Sequence, residues 1–478
     1  MGAYRYYWMG FLFTAAVILS AVSPAAAYLA TTVLHLERTP LPLGSSAGLK
    51  QLRAQDRARH ARIFDGVANF SVYGSADTLL YGIYYTKVKL GSPPQEFSLQ
   101  IDTGSDLLWV NAKSCANCPR SSSFGIGLSY YDAAASSTAK VVPCPDKTCP
   151  NRCTKNGQCG YTINYEDDGV TNGVYVVDRV NLDFIRPDST IATSSAAIAF
   201  GASTYLSGAL GDSALAVDGI FGLGQGPLSA ISQLSSRGIV PPVFSLCLKG
   251  EGLGGGTFVL GEIAEPGMVY TPLVPAQPHY NLYLQSIAVN GELLPVDPAV
   301  FATSTGRGTF VDSGTTLAYL VDEAYEPFIR AVTAVVSPSA TPKISEGHQC
   351  YLLSSSVSQV FPVVSFNFAN GASLVLKPAD YLYQSVRYVS GMWCIGIVKK
   401  PGMTILGDLV LKDKIFVYDL VHRQIGWTNY NCLNAVNVSV PKQRSSSCSS
   451  RDMLLMSLPL AITALFLQIS SVIGIKTM

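Results

Sequence analysis

Short runs of alternating apolar and polar residues, separated by turn residues, dominate the chain from Tyr81 onward. Tyr84–Leu90 and Phe97–Ile101 alternate on either side of the Gly91–Pro94 turn, and similar runs recur as far as Phe416–Tyr418. A period of two residues places successive side chains on opposite faces of a strand, and Gly and Pro between such runs favour turns. The pattern predicts a mostly β fold.

Helical periodicity is clearest in two segments, Leu228–Ser236 and Asp322–Val335. Composition supports the β assignment, because 42 Gly, 27 Pro and 25 Tyr are typical of a turn-rich β protein. The 478 residues are 48% hydrophobic and 14% charged, which excludes a disordered chain and allows two or three domains. A net charge of +1 argues against a nucleic-acid-binding protein, which needs a basic face.

The N-terminal end carries an apolar segment of its own. Phe11–Val22 is apolar and is followed by the small residues Ala25–Ala27, which is the pattern of a secretory signal peptide. We therefore assign residues 1–27 as a signal peptide and expect the protein to be exported. The alternative interpretation is a buried N-terminal helix.

At the C-terminal end, Met453–Ile475 is almost unbroken apolar sequence and follows the polar run Lys442–Ser450. A polar spacer before a terminal apolar tail is the signal for replacement by a GPI anchor. Residues 441–478 therefore predict attachment to the outer face of the plasma membrane, with a retained transmembrane span as the alternative. The candidate attachment residues are Ser445, Ser446, Ser447 and Ser449.

Residues 28–75 differ in character from the rest of the chain. The segment 28–70 has six basic residues against three acidic ones, mostly within the helix-like stretch Leu49–Arg62, whereas the main body is net acidic. A basic leader on an acidic body suits a removable inhibitory segment, because the two attract each other until acid neutralises the carboxylates. We predict a prosegment at 28–75 and a mature chain that starts between Ser71 and Leu79; an ordinary solvated helix is the alternative.

An internal repeat identifies the candidate chemistry. Asp102-Thr103-Gly104-Ser105 follows an apolar run, and Asp312-Ser313-Gly314-Thr315 follows another about one domain length later. Each motif precedes a second matching element with two apolar residues and a Gly, which is Asp218–Gly222 in the first half and Thr404–Asp408 in the second. Two such pairs in the same order indicate two related halves.

Two carboxyls brought together by a repeat can hydrolyse a peptide bond without a cofactor. Because two adjacent carboxyls cannot both ionise cheaply, Asp102 and Asp312 would share one proton. The ionised Asp withdraws a proton from a water that attacks the scissile carbonyl, while the protonated Asp donates to the carbonyl oxygen. The pair then returns a proton to the leaving amine, so the reaction requires neither a covalent intermediate nor a metal.

The residues beside the two Asp suit a supporting role. The hydroxyls of Ser105 and Thr315 can hydrogen-bond the carboxylates and hold them coplanar. Gly104 and Gly314 let the backbone pass close to the dyad, because they carry no side chain. The sequence therefore supplies both the carboxyls and the groups that hold them.

With these motifs the chain resembles the pepsin-like aspartic proteases from Tyr81 to Asn431, and looks most like the plant nepenthesin-related type. The resemblance implies two β lobes related by a pseudo-two-fold axis, with a central cleft between them. We place the lobes at 76–270 and 271–440. It also implies that Thr103 and Ser313 brace the two loops across the axis.

A flap over the cleft is part of the resemblance. Tyr165, in the stretch Tyr161–Gly169, corresponds to the family's flap tyrosine, and Trp109 to the indole that hydrogen-bonds it. The family's usual Tyr-Gly-[Asp/Thr]-Gly-Ser becomes Tyr-Glu-Asp-Asp-Gly here, so we expect a stiffer turn and a more negative cleft mouth. Such a mouth would favour basic substrates or shift the pH profile. A plain strand residue is the alternative for Tyr165.

Eleven cysteines favour a disulfide-bearing exported protein. Six of them crowd before the flap, with a pairing that the sequence does not fix: Cys115, Cys118, Cys144, Cys149, Cys153 and Cys159. A zinc site that uses Cys115 and Cys118 is the alternative, and an oxidising export route disfavours it. The resemblance implies a pair between Cys350 and Cys394, which leaves Cys247 and Cys432 as a possible long-range pair.

Asn69 and Asn437 occupy N-glycosylation motifs. The sequence as a whole predicts an aspartic endopeptidase made as an exported zymogen, GPI-anchored or extracellular and monomeric, which takes a peptide or protein substrate in an extended conformation. A catalytically silent binding or inhibitor protein of the same fold is the main alternative, disfavoured because both motifs are intact. A purely structural surface glycoprotein would leave two buried carboxyls unexplained.

Overall fold

The computed structural model describes residues 67–75, 83–146, 149, 152–186, 188, 190–214, 216–251, 254–345, 347–385 and 391–438. The signal peptide, most of the prosegment and the C-terminal spacer and tail lie outside the described residues. The same holds for the anchor candidates Ser445, Ser446, Ser447 and Ser449. Among the described residues, none of the helices is long and apolar enough to cross a membrane.

The first lobe is built mainly from strands. They are β1 (Val67–Gly74), β2 (Tyr84–Leu90), β3 (Gln95–Asp102), β4 (Trp109–Ala116), β5 (Lys140–Val141), β6 (Arg152–Cys153), β7 (Cys159–Asn164), β8 (Val170–Ile185), β9 (Ile191–Ser207), β10 (Gly219–Gly222), β11 (Val243–Leu248) and β12 (Gly256–Leu260). Helix α1 spans Ala230–Ser236, and single 3-10 turns cover Ala133–Ala135 and Gly208–Gly211. Helix α1 begins after Ser229, whose hydroxyl accepts a hydrogen bond from Ser232 N.

The second lobe repeats this construction. Its strands are β13 (Val269–Pro272), β14 (Tyr280–Leu282), β15 (Leu284–Val289), β16 (Glu292–Leu293), β17 (Gly308–Val311), β18 (Ala318–Val321), β19 (Thr341–Ser345), β20 (His348–Leu352), β21 (Val364–Phe368), β22 (Ser373–Leu376), β23 (Leu382–Ser385), β24 (Met392–Ile395), β25 (Ile397–Lys400), β26 (Met403–Leu406), β27 (Lys414–Asp419) and β28 (Gln424–Asn429). The helices are α2 (Asp322–Val336), α3 (Val357–Val360) and α4 (Asp408–Leu411), and 3-10 turns cover Pro298–Phe301, Ala369–Gly371 and Pro378–Asp380. Helix α2 buries Ala324, Phe328, Val332 and Val336, which lie one turn apart on one face.

The largest sheet runs through both lobes. Its strand order is β13-β28-β27-β11-β12-β1-β2-β3-β10-β4-β9-β8-β7-β6, and β5 pairs with β8. The other sheets of the second lobe have the orders β14-β17-β26-β18-β25, β16-β15-β21-β22 and β19-β20-β24-β23. Because β27 pairs with β11, the last of the described strands complete the sheet of the first lobe. The mostly β, bilobal architecture predicted from the sequence is confirmed.

Strand β1 is an interior strand of this large sheet. It pairs with β12 on one side and with β2 on the other, and it buries Ala68, Phe70 and Val72. The Phe70 ring stacks on Phe258 at 5.2 Å and meets the edge of Phe221 at 6.1 Å. Residues 67–74, which fall inside the predicted prosegment, are therefore integral to the sheet of the first lobe.

Candidate active site

Each predicted catalytic Asp stands at the end of a strand that pairs in parallel with an apolar-apolar-Gly element. In the first lobe β3 pairs with β10, so that Asp102 lies opposite Gly222. In the second lobe β17 pairs with β26, and Asp312 directly follows Val311, which lies opposite Leu406. The repeat in the sequence is therefore also a repeat of local structure.

The two carboxyls accept matched hydrogen bonds. Gly104 N donates to Asp102 Oδ1 at 2.8 Å, and Ser105 Oγ donates to Asp102 Oδ2 at 2.5 Å. The corresponding donors to Asp312, at the same two distances, are Gly314 N and Thr315 Oγ1. One backbone donor and one hydroxyl donor fix the plane of each carboxyl; the hydroxyl donors are the two suggested by the sequence, and the backbone donors are found in the structure alone.

The carboxyls lie where the two motif loops approach each other most closely. A Cβ atom built on Gly104 would stand 2.6 Å from Asp312 Oδ1, and one built on Gly314 would stand 2.4 Å from Asp102 Oδ1. Each carboxyl therefore packs against the glycine of the opposite motif, in a space that has no room for a side chain. The two Asp are brought together by this crossed arrangement.

The loops are braced by reciprocal hydrogen bonds across the pseudo-two-fold axis. Ser313 N donates to Thr103 Oγ1 at 2.9 Å, and Thr103 N donates to Ser313 Oγ at 3.3 Å. The two hydroxyls in turn donate to backbone carbonyls of the opposite lobe, Ser313 to Ile101 O at 3.0 Å and Thr103 to Val311 O at 3.5 Å. Both side chains are buried, so water does not compete for these bonds. Ser313 stands where the first motif has Thr103, and its hydroxyl is sufficient for the brace.

Burial and neighbouring charge favour a shared proton at the dyad. Asp102 is 6% exposed. Desolvation, followed by the charge of Asp312, raises the pKa of Asp102 well above the usual range of a carboxyl, although the donors Ser105 and Gly104 act in the opposite direction. A single proton held between the two carboxyls relieves both their desolvation and their repulsion.

A third carboxyl, to which no role is assigned from the sequence, lies close to the dyad. Asp408 begins helix α4 and is 4% exposed, and its backbone N donates to Thr315 O at 2.7 Å. Burial, followed by the charges of Asp312 and Asp102, raises the pKa of Asp408 well above its usual range. The one sequence feature that pointed to Asp408 was its position at the end of the repeated Thr404–Asp408 element.

The flap residues meet as the resemblance implies. Trp109 Nε1 donates to Tyr165 Oη at 2.8 Å, and Tyr165 N donates to Gly169 O at 2.8 Å, which closes the turn between β7 and β8. Burial, followed by the charge of Asp102, raises the pKa of Tyr165 well above its usual range. The Tyr165 hydroxyl therefore stays protonated.

Comparison with known proteins gives the family. Residues 84–262 match the family model described as xylanase inhibitor N-terminal, and residues 279–429 match the one described as xylanase inhibitor C-terminal. The chain is 38% identical over 408 residues to aspartic proteinase 36 of Arabidopsis thaliana, a match that covers 83% of each protein. The chain belongs to the pepsin-like aspartic proteinase family. Aspartic proteinase 39 of Arabidopsis thaliana is 36% identical over 404 residues, which cover 83% of this chain and 84% of that protein.

A solved structure supports the fold of this aspartic proteinase family member independently. Conglutin gamma, a basic 7S globulin from lupine seeds, superposes with a TM-score of 0.61 at 19% sequence identity. The match covers 78% of this chain and 99% of that chain. At this identity the likeness shows the fold alone.

The described cysteines of this aspartic proteinase family member form disulfides. The pairs are Cys115–Cys118, Cys144–Cys153, Cys149–Cys159, Cys247–Cys432 and Cys350–Cys394. Cys350–Cys394 is the pair that the resemblance implies, and Cys247–Cys432 is the long-range pair that it left as possible. The first three pairs give a connectivity that the sequence left open. Within the described residues, no group of three or more His, Cys, Asp or Glu side chains is placed to hold a metal ion.

The two glycosylation motifs lie at the surface. Asn69 is exposed on strand β1. Asn437 is exposed near the end of the described chain, and its Nδ2 donates to Glu265 Oε1 at 3.2 Å. Exposure makes both asparagines accessible, and their glycosylation stays a prediction.

Proposed function

We propose that this chain is an active aspartic endopeptidase. The observation that carries the proposal is the Asp102–Asp312 pair, in which both carboxyls keep a backbone and a hydroxyl donor. The raised pKa of Asp102 adds to it, because a dyad that shares a proton needs one carboxyl that resists ionisation at acid pH. A protein that only binds its partner requires neither feature.

The reaction uses the dyad as both base and acid. A water between the carboxyls gives a proton to the ionised Asp and attacks the scissile carbonyl carbon, and the carbonyl oxygen takes the proton of the other Asp. The tetrahedral intermediate then breaks its C–N bond as the amine nitrogen receives a proton from one Asp, while a hydroxyl of the intermediate returns its proton to the other Asp, so that a carboxyl product forms and the dyad regains its single proton. Ser105 and Thr315 hold the carboxyls coplanar throughout, so little reorganisation is needed at each step.

The substrate is a peptide or protein segment in an extended conformation. An extended backbone presents unpaired N–H and C=O groups that can pair with strand-like edges of a cleft, as in β-augmentation. The flap carries Tyr165, which Trp109 holds by a hydrogen bond, and its closure over the cleft would exclude bulk water from the reacting carbonyl. The chain acts as a monomer in this proposal, because one chain supplies both Asp.

We extend the proposal to the route by which the protein is made, with support from the sequence alone. Residues 1–27 direct export, a basic prosegment within 28–75 keeps the enzyme inactive, and the tail 441–478 is exchanged for a GPI anchor at the outer face of the plasma membrane. The acidic net charge of the main body supports electrostatic attraction to the prosegment. We also propose that the chain is an aspartic protease of the nepenthesin-related type.

The decisive experiment is hydrolysis of a quenched peptide library between about pH 3 and about pH 7. The full chain, purified from a eukaryotic secretory host, is compared with Asp102→Asn and with Asp312→Asn. We expect cleavage in the acid range that both substitutions abolish, while far-UV circular dichroism shows that both variants fold. Undiminished cleavage by either variant contradicts the aspartic mechanism.

A catalytically silent binding protein is the second candidate. The observation that favours it is the pair of matching family models, both of which are described as xylanase inhibitor domains. If the folded wild-type chain, freed of its prosegment, hydrolyses no peptide in the library, this candidate replaces the endopeptidase. The intact dyad would then need another explanation.

A further inference from the structure

The flap touches the lobe opposite to its own. Glu166, which directly follows Tyr165 in the flap turn, places its Oε2 atom 2.8 Å from Lys400 Nζ. Lys400 ends strand β25 of the second lobe, so this ion pair joins the tip of the flap to the far side of the cleft. The contact arises where the chain departs from the usual flap sequence, since Glu166 stands where the family has Gly.

Lys400 is held in place from the second lobe. Its Nζ lies 5.3 Å from the centre of the Tyr319 ring, a cation–π contact. Strand β25 pairs in parallel with β18, so that Lys400 lies opposite Val321 and Val398 lies opposite Tyr319. Strand β18 follows the Asp312 motif along the chain, which means that Lys400 is fixed relative to one half of the dyad.

Glu166 is joined as firmly to the other half of the site. Its neighbour Tyr165 accepts the hydrogen bond from Trp109 Nε1, and the turn is closed by the bond from Tyr165 N to Gly169 O. The flap turn also packs on its own lobe, because a Cβ atom on Gly208 would stand 2.0 Å from Asp168 O. The ion pair thus joins two independently supported parts of the cleft.

We propose that Glu166 and Lys400 form a latch that holds the flap closed and positions Tyr165 over the dyad. The proposal rests on the endopeptidase function, which it deepens by naming two positioning residues. A peptide must separate the pair to enter the cleft, and re-formation of the pair returns Tyr165 to its place. The two residues act through Tyr165 and do not take part in proton transfer.

The exposure of the pair sets the strength of the latch. The Glu166 side chain is 61% exposed and that of Lys400 is 23% exposed. Ion pairs with this much solvent contact contribute little and are weakened by salt. The latch is therefore a weak bias toward the closed flap, which the binding of a substrate can overcome.

The test measures flap opening in the unliganded full chain by amide hydrogen exchange of residues 165–169. Glu166→Gln and Lys400→Gln should each lower the protection factors of this segment by roughly two- to five-fold. The double variant should be no less protected than either single variant, because each single substitution already removes the whole interaction. Lys400→Arg, which keeps the charge and the ring contact, should retain wild-type protection.

Two neighbouring residues supply matched controls. Asp168→Asn removes a carboxylate from the same turn, at a left-handed residue where Asn is well tolerated, and Lys399→Gln removes the adjacent cation. Both should leave the protection of residues 165–169 unchanged. The latch is refuted if the controls lower protection as much as the pair does, or if the effects of the two single substitutions multiply in the double variant.

The readout separates this proposal from the endopeptidase function. Exchange is measured without substrate, so a chain that hydrolyses no peptide but shows the expected exchange pattern retains the latch and loses the proposed function. A chain that hydrolyses peptides through Asp102 and Asp312 but shows unchanged exchange in the single variants loses the latch alone.

Discussion

The dyad depends on two glycines as much as on its two carboxyls. Gly104 and Gly314 each leave the space that the carboxyl of the opposite motif fills. Neither glycine has the left-handed backbone for which glycine is often required, so the requirement here is one of volume. A methyl group at either position must displace a carboxyl whose other contacts fix it.

We expect Gly314→Ala to lower kcat by roughly 100-fold, because the new Cβ would lie 2.4 Å from Asp102 Oδ1 and must push the carboxyl out of line. Peptide hydrolysis at the acid optimum measures the effect. Gly127→Ala is the matched control, since nothing lies within 4 Å of a Cβ atom built there. Wild-type activity in Gly314→Ala would show that the carboxyl tolerates displacement.

Much of the site could be predicted from the sequence because its parts lie within short motifs. The same short motif occurs once in each half of the chain. It contains the catalytic candidates Asp102 and Asp312 together with their hydroxyl and glycine neighbours, whose positions local geometry fixes. Asp408 and Lys400 were not predicted from the sequence, because their roles depend on burial and on contacts between segments far apart in the chain. The sequence also led us to expect a negatively charged cleft mouth. That expectation is modified, because the positive charge of Lys400 pairs with Glu166.

Strand β1 is integral to the folding of the first lobe and therefore limits where the proposed prosegment can end. It lies between β12 and β2 and carries Phe70 into contact with Phe221 and Phe258. Loss of residues 67–74 would leave two strand edges unpaired and would expose this aromatic cluster. Burial of a single phenylalanine side chain stabilises a protein by about 3–5 kcal/mol relative to alanine, so removal of the strand would be costly.

If the proposed prosegment is removed, we therefore expect the mature protein to begin at or before Val67, upstream of the start between Ser71 and Leu79 that the sequence suggested. N-terminal sequencing or intact mass of the protein purified from the secretory host measures the start. Phe70→Ala provides an independent check, because it should lower the urea midpoint of unfolding if β1 remains in the mature protein. A mature chain that starts after Gly74 and keeps full stability contradicts the expectation.

Helices and strands were predictable where their periodicity was strong. Leu228–Ser236 and Asp322–Val335 match the observed α1 and α2 to within two residues at each end, and Tyr84–Leu90 is the observed β2. The alternation of buried and exposed residues in Val67–Gly74 is short and adjoins a basic segment, so this strand was not predicted. What makes it a strand is its pairing with β12, almost two hundred residues later, which no local pattern reveals.

The two lobes are joined by a common sheet and by a disulfide. Strands β27 and β28 of the second lobe extend the sheet of the first. The disulfide between Cys247 and Cys432 joins β11 to the segment that follows β28, across a separation of 185 residues. A bond that closes so long a loop restricts the unfolded chain strongly. The lobes are therefore expected to unfold together, which makes a single melting temperature meaningful.

Buried carboxyls determine how this melting temperature should depend on pH. The pKa values of Asp102 and Asp408 are raised, and burial raises the pKa of Asp218 to about 6. Groups with raised pKa contribute stability that is fully present below their unfolded pKa, about 3.9, and is lost as pH rises through their folded pKa. For Asp218 alone the contribution is about 3 kcal/mol. Carboxyls with lowered pKa act in the opposite direction, as their stability is lost when pH falls below about 3.9; they are Asp132, Asp178, Asp188 and Asp419.

The two groups of carboxyls together predict a melting temperature that is highest near pH 4 and falls on both sides. Circular dichroism melts between about pH 2 and about pH 8 measure it. Asp408→Asn cannot ionise, so it removes one carboxyl whose contribution to stability is lost as the pH rises. The melting temperature of this variant should therefore fall less between pH 4 and pH 7 than that of the wild type. Glu292→Gln, at an exposed carboxylate, should leave the curve unchanged. A melting temperature that rises steadily to neutral pH would mean that the buried carboxyls ionise without cost, and the electrostatic account of the dyad would then fail with it.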